Sequence, residues 1–100
     1  MNKLEYLLIC LGEECAEVQK LVSKTLRFGI ADYDPRLEQV KDNGCRLQEE
    51  LNDVFAICEM LQEETGFNPI PSRALIDAKK AKMKGMIEYS RERMILARED

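Results

Sequence analysis

Two short stretches of this chain set acidic side chains at helical spacing. Gly12-Glu13-Glu14-Cys15-Ala16-Glu17 holds Glu14 and Glu17 three apart, and Glu49-Glu50-Leu51-Asn52-Asp53 does the same for Glu50 and Asp53. On an α-helix, residues three apart share a face and are separated by ~4.5 Å of rise. If the two helices pack together, four carboxylates meet. Like charges at that range repel unless protons or a cation neutralise them. The chain contains no histidine, which removes His-containing zinc sites, Glu-x-x-His di-iron bundles and His-dependent triads. A metal site built mainly of oxygen favours Mg²⁺, Mn²⁺ or Ca²⁺. Glu-x-x-Glu alone is common on solvated helix faces. These two pairs differ in bordering apolar stripes and in having no basic residue at i+4 of any of the four acids.

Three long helices are expected to position these groups. The first spans residues 2 to about 27, with Asn2 as N-cap and a seam of Leu4, Leu8, Leu11, Cys15, Val18 and Val22, widened by Leu7 and Leu21. Glu14 and Glu17 lie beside that seam. Gly29 is suited to end the helix. Asp34-Pro35 reads as the start of a short helix over 36–41, which Asp42-Asn43-Gly44 then breaks or bends. A second long helix, about 45–65, has Leu47, Leu51, Val54, Cys58 and Leu61 as its seam, widened by Phe55 and Ile57, with Glu50 and Asp53 flanking it. After Gly66 and the stiff Asn68-Pro69-Ile70-Pro71 connection, Ser72 caps a third helix, about 73–97, with Leu75, Ile76, Ala78, Met83, Met86, Ile87 and Met94 as its apolar residues. The expected fold is all-α: a single domain over residues 1–100, with three long helices and a short one. Such long helices give one short chain little depth in which to bury its seams, so a homodimer or homotetramer is expected to complete the bundle.

The balance of charge is acidic, −4 overall, which disfavours general nucleic-acid binding. No stretch approaches the ~20 apolar residues of a membrane span, and no signal peptide is visible, so a cytoplasmic location is expected. The four cysteines, Cys10, Cys15, Cys45 and Cys58, form no C-x-x-C pair and read as small packing residues.

Clustered carboxylates and nearby cations suit a nucleoside triphosphate. The acids hold Mg²⁺, and Lys24, Arg27, Lys79 and Lys82 are candidates for its phosphate oxygens. Either Glu14 or Glu17 is the candidate for holding the attacking water. Phe28 and Tyr33 are candidates for stacking on a base, or for plain packing, and Asn43 for a turn.

These residues resemble a known family. Glu13-Glu14-x-x-Glu17 followed by Glu50-x-x-Asp53 looks like the signature of the all-α nucleoside triphosphate pyrophosphohydrolases, which include MazG proteins, dCTP pyrophosphatases and dimeric dUTPases. Lys24-Thr25-Leu26-Arg27-Phe28-Gly29, Glu50-Leu51-Asn52-Asp53-Val54-Phe55-Ala56-Ile57 and Ala78-Lys79-Lys80-Ala81-Lys82 are similar to short MazG-like proteins of phages and bacteria. The resemblance implies Mg²⁺-dependent conversion of a (d)NTP to its monophosphate and pyrophosphate, with Mn²⁺ as a substitute. It also implies metal ligation by Glu14, Glu17, Glu50 and Asp53, and oligomerisation to complete the active sites. For a phage-encoded protein the location is the host cytoplasm. The 32 residues between Glu17 and Glu50 exceed the usual interval, and substrate choice is expected to depend on that segment. The alternative is a non-catalytic helical interaction module, such as a phage-encoded binder of a host protein.

Overall fold

The computed structural model describes residues 1–93. Three helices run in order: α1 (Lys3–Phe28), α2 (Asn43–Thr65) and α3 (Arg73–Glu92). The all-α expectation holds among the described residues, where the β-type pairing noted is an isolated antiparallel bridge between Tyr33 and Asp42. No helix there is long and apolar enough to cross a membrane.

Each helix starts on a side-chain cap. Asn2 accepts from the Glu5 N–H at 2.8 Å, Asp42 from Cys45 N–H at 2.8 Å, and Ser72 from Leu75 N–H at 3.3 Å. Such caps contribute ~1 kcal/mol each. Glycines end α1 and α2. Gly66 is left-handed, and Gly29 takes φ +98° with ψ 155°, a region that essentially only glycine enters.

The chain is organised as two compact units, Met1–Ile70 and a second that begins at Pro71. In the first, α1 packs on α2. The helices are antiparallel, since Lys3 near the start of α1 pairs with Glu64 near the end of α2 at 2.8 Å. Among the less exposed residues of α1, Leu4, Leu7, Leu11, Glu14, Val18, Leu21 and Thr25 lie three or four apart. In α2, Asn43, Leu47, Glu50, Val54, Ile57 and Leu61 do the same. This is the 3.5-residue alternation of two helices interlocking along a seam. Leu7, Leu21 and Leu61 are its buried leucines.

The expected seams are therefore rotated. Leu7 and Leu21, read as widening residues, are core, whereas Leu8, Val22 and Leu51 are exposed. α1 carries apolar residues on two faces, so periodicity alone admits both solutions. Cys10 and Cys58 are half-buried, whereas Cys15 and Cys45 are exposed and all four are free thiols.

The short helix expected over 36–41 is absent; those residues form turns and bends. Asp34 is committed to Arg36. Its Oδ1 accepts from the Arg36 backbone N–H and Nε, and its Oδ2 accepts from a guanidinium nitrogen, all at 2.9–3.0 Å. One turn closes from Leu37 N–H to the Asp34 carbonyl. The chain then returns to pair Asp42 with Tyr33, which a helix could not do. Asp42-Asn43-Gly44 does not break a helix but starts one. The Asn43 N–H donates to the Asp32 carbonyl and the Gly44 N–H to the Ile30 carbonyl, at 2.8 and 2.9 Å. A Cβ on Gly44 would lie 3.1 Å from Ile30 Cγ1, so glycine permits this close approach.

In the second unit, α3 buries none of its residues. Leu75, Ile76, Met83, Met86, Ile87 and Tyr89 are exposed. Residues 94–97, including Met94, onto which the sequence extends this helix, lie outside the described residues.

Leu61 is 0% exposed and Leu26 is 82% exposed. Urea unfolding of Leu61→Ala is expected to show a loss of about 2–5 kcal/mol. Leu26→Ala should stay within about 0.5 kcal/mol of the parent. Equal losses would contradict the assignment of the α1–α2 seam.

Candidate functional site

The seam is interrupted at one level by two acids. Three residues on from Leu11 comes Glu14, before Val18. Three on from Leu47 comes Glu50, before Val54. Both glutamates are half-buried, at positions the alternation otherwise gives to apolar side chains. Asp53, one turn after Glu50, is exposed. One carboxylate oxygen from each of Glu14, Glu50 and Asp53 can be chosen so that all three lie within 4.8 Å of one another. Acids 36 residues apart in sequence are thus brought together by antiparallel helix packing.

Electrostatics records the crowding. Loss of water raises the Glu50 pKa above the ordinary glutamate value, and the charges of Asp53, Glu17, Glu14 and Glu49 raise it further. Among the described residues, none of Glu14, Glu17, Glu50 and Asp53 pairs with a lysine or arginine. Glu17 is exposed, one turn beyond Glu14 on α1. It stands outside the group of three, yet near enough for its charge to act on Glu50.

The donor set fits a hard divalent cation. Octahedral Mg²⁺, with oxygens at about 2.1 Å, sets neighbouring ligands about 3 Å apart and opposite ones about 4.2 Å apart. The 4.8 Å span of the three acids is of the same order as these separations. Exposed Asp53 and Glu17 leave one side of the group open to water and substrate.

The candidate phosphate-binding residues are dispersed. Lys24 is half-buried near the end of α1. It lines a pocket of about 330 Å³ together with Phe28, Asp32, Tyr33, Asn43 and Arg46, among others. Arg27 instead lies over the Phe28 ring, 5.2 Å from its centroid, a cation–π contact. Lys79 and Lys82 are exposed and three apart on α3, in the second unit. Arg46 joins Lys24 in lining that pocket, one turn before Glu50; its signal in the sequence is a basic residue at i−4 of that acid, not at i+4. Arg36 is also basic and also lines the pocket, but its charge is answered by Asp34.

Comparison with protein-family models, with curated proteins and with solved structures finds no match to this chain.

Glu50 gives a signed pH dependence. A carboxyl whose pKa is raised on folding favours the folded state when protonated. Its contribution is fully present below the unfolded value of 4.5 and is lost as pH rises through the folded value. In EDTA, Glu50→Gln is expected to melt higher than the parent at pH 7. The difference should shrink as pH falls towards 4.5, as followed by circular dichroism. A variant that melts lower at pH 7 would contradict this electrostatic reading.

Proposed function

We propose that this chain is a Mg²⁺-dependent nucleoside triphosphate pyrophosphohydrolase, converting a (d)NTP to (d)NMP and pyrophosphate. The convergence of Glu14, Glu50 and Asp53 on one another, without a basic partner among the described residues, is the observation that carries this reading. The resemblance of the two acidic motifs and their flanks to MazG-like enzymes adds to it.

Glu14, Glu50 and Asp53 hold the cation, and Glu17 completes the set from the next turn. Bound there, Mg²⁺ supplies charge against the phosphate oxygens and the leaving pyrophosphate, and Mn²⁺ substitutes for it. The exposed Glu17 carboxylate orients a water and accepts its proton as the water oxygen bonds to the α-phosphorus. The bond from that phosphorus to the pyrophosphate oxygen breaks. Lys24 and Arg46 answer the remaining phosphate charge from the same helix pair.

The reading includes a homodimer or homotetramer. Leu8, Val22 and Leu26 on α1 and Leu51 and Phe55 on α2 are exposed, so each helix keeps a second apolar row beyond the seam. A second copy covers it, as a symmetric assembly requires of a shared patch.

Purified protein with Mg²⁺ and a panel of ribo-, deoxy- and modified-base triphosphates is expected to release pyrophosphate, and to lose that activity in EDTA. Glu50→Gln should lower kcat by at least ~100-fold, equivalent to ~2.7 kcal/mol of transition-state stabilisation, with helical content retained. Exposed Glu13→Gln should stay within a few-fold. Near-normal turnover in Glu50→Gln would refute the ligand assignment. Release from no nucleotide would favour a non-catalytic interaction module, and a light-scattering mass of one chain on the same sample would remove the oligomer.

A further inference from the structure

We propose that the pocket between the end of α1 and the start of α2 is a nucleoside subsite, taking a nucleobase against Phe28 and Tyr33 beside Asn43. This rests on the reading of the acids as a triphosphate site and deepens it, by assigning where the base binds and which side chains recognise it.

The pocket is of the right size and kind. About 330 Å³ lies within the range of small-molecule sites. Phe28 is 59% exposed and Tyr33 49% exposed. Aromatic rings that keep so much surface in water offer π-faces on which a base can stack. Arg27 lies over the Phe28 ring, which helps to hold it.

Asn43 supplies the polar recognition. It is 4% exposed, the most buried polar residue described. Its Nδ2 donates to the Gly29 carbonyl at 2.9 Å. Only nitrogen can face a carbonyl in this way, so the contact fixes which end of the carboxamide is which. The carboxamide oxygen accepts no hydrogen bond from the described residues, and it is not sealed away from solvent. Asn43 lines the pocket, and its free carboxamide oxygen is assigned to a donor on the ligand. Asp32, also lining the pocket, offers a carboxylate, whereas Asp34 is occupied by Arg36. A flat aromatic ligand with N–H groups on its edge matches this set.

The pocket also lies at the right end of the helix pair. Arg46 precedes Glu50 by one turn, ~6 Å of rise, and Lys24 follows Glu17 by two turns, ~10.5 Å. Both cations line the pocket. A nucleotide with its base here extends its phosphates past Lys24 and Arg46 towards the acids. The sugar and base then occupy the loop that lengthens the interval between the two acidic motifs.

The test uses the full chain and the variants Phe28→Ala and Tyr33→Ala, whose exposed side chains add little to the core. Calorimetric titration in EDTA measures binding of the four nucleoside monophosphates. Inorganic tripolyphosphate with Mg²⁺ probes the acids without a base. At least a ten-fold loss of affinity for the preferred monophosphate in both variants, with tripolyphosphate binding within about two-fold of the parent, is the expected result. Unchanged monophosphate affinity and base preference in both variants would overturn the subsite, as would a parent protein that binds no monophosphate. Binding lost in the variants while the parent releases no pyrophosphate would uphold the subsite and sink only the hydrolase reading.

Discussion

Repulsion between carboxylates in a half-buried helix seam is the constraint on which the rest depends. Glu14 and Glu50 take positions flanked in the seam by a leucine on one side and a valine on the other. Burying a leucine contributes about 1.5–3 kcal/mol, so two glutamates forgo that gain and also lose water from their charges. The raised pKa of Glu50 expresses this cost. With so few residues buried among those described, such a fold has little stability to spare. On the proposed reading, a divalent cation would turn the same acids from a liability into a cross-link between the two helices. The packing that crowds the acids is then also what would make the site.

The loop between the helices serves the same geometry. Antiparallel packing brings Glu14 level with Glu50 only if residues 29–43 close tightly. Asn43 and Gly44 perform that closure. The Asn43 side chain holds Gly29 and its N–H holds Asp32, while Gly44 lets Ile30 approach its backbone. The closure leaves Phe28 and Tyr33 on the surface and shapes the pocket beside them. Register of the acids and form of the pocket therefore share one cause.

Much of this was legible in the residues. The capping signals at Asn2 and Ser72, the glycine ends and the number of long helices follow from local chemistry, and the structure agrees with them. Spacing points to four carboxylates meeting once the helices pack; Glu14, Glu50 and Asp53 group, while Glu17 stands outside the group of three. The seam was less legible: α1 has leucines at 4, 7, 8 and 11, and only the partner helix decides which row is covered. For the same reason the sequence sets Glu14 and Glu50 beside the core, whereas they interrupt the seam itself. The short helix over 36–41 does not form because the chain returns to pair Asp42 with Tyr33. That demand from outside the segment is not written in local propensity. Asn43 read as turn chemistry because Asn-Gly usually is, yet here it is the first residue of α2.

Manganese offers the most direct test of the central claim, because its free form has a paramagnetic signal that binding quenches. Metal-free protein titrated into Mn²⁺ is predicted to remove that signal saturably, with Mg²⁺ restoring it by competition. A Glu14→Gln/Glu50→Gln double variant of unchanged helicity is predicted to leave the signal intact. A parent chain that leaves Mn²⁺ free, or a double variant that binds it as well as the parent does, would contradict the account.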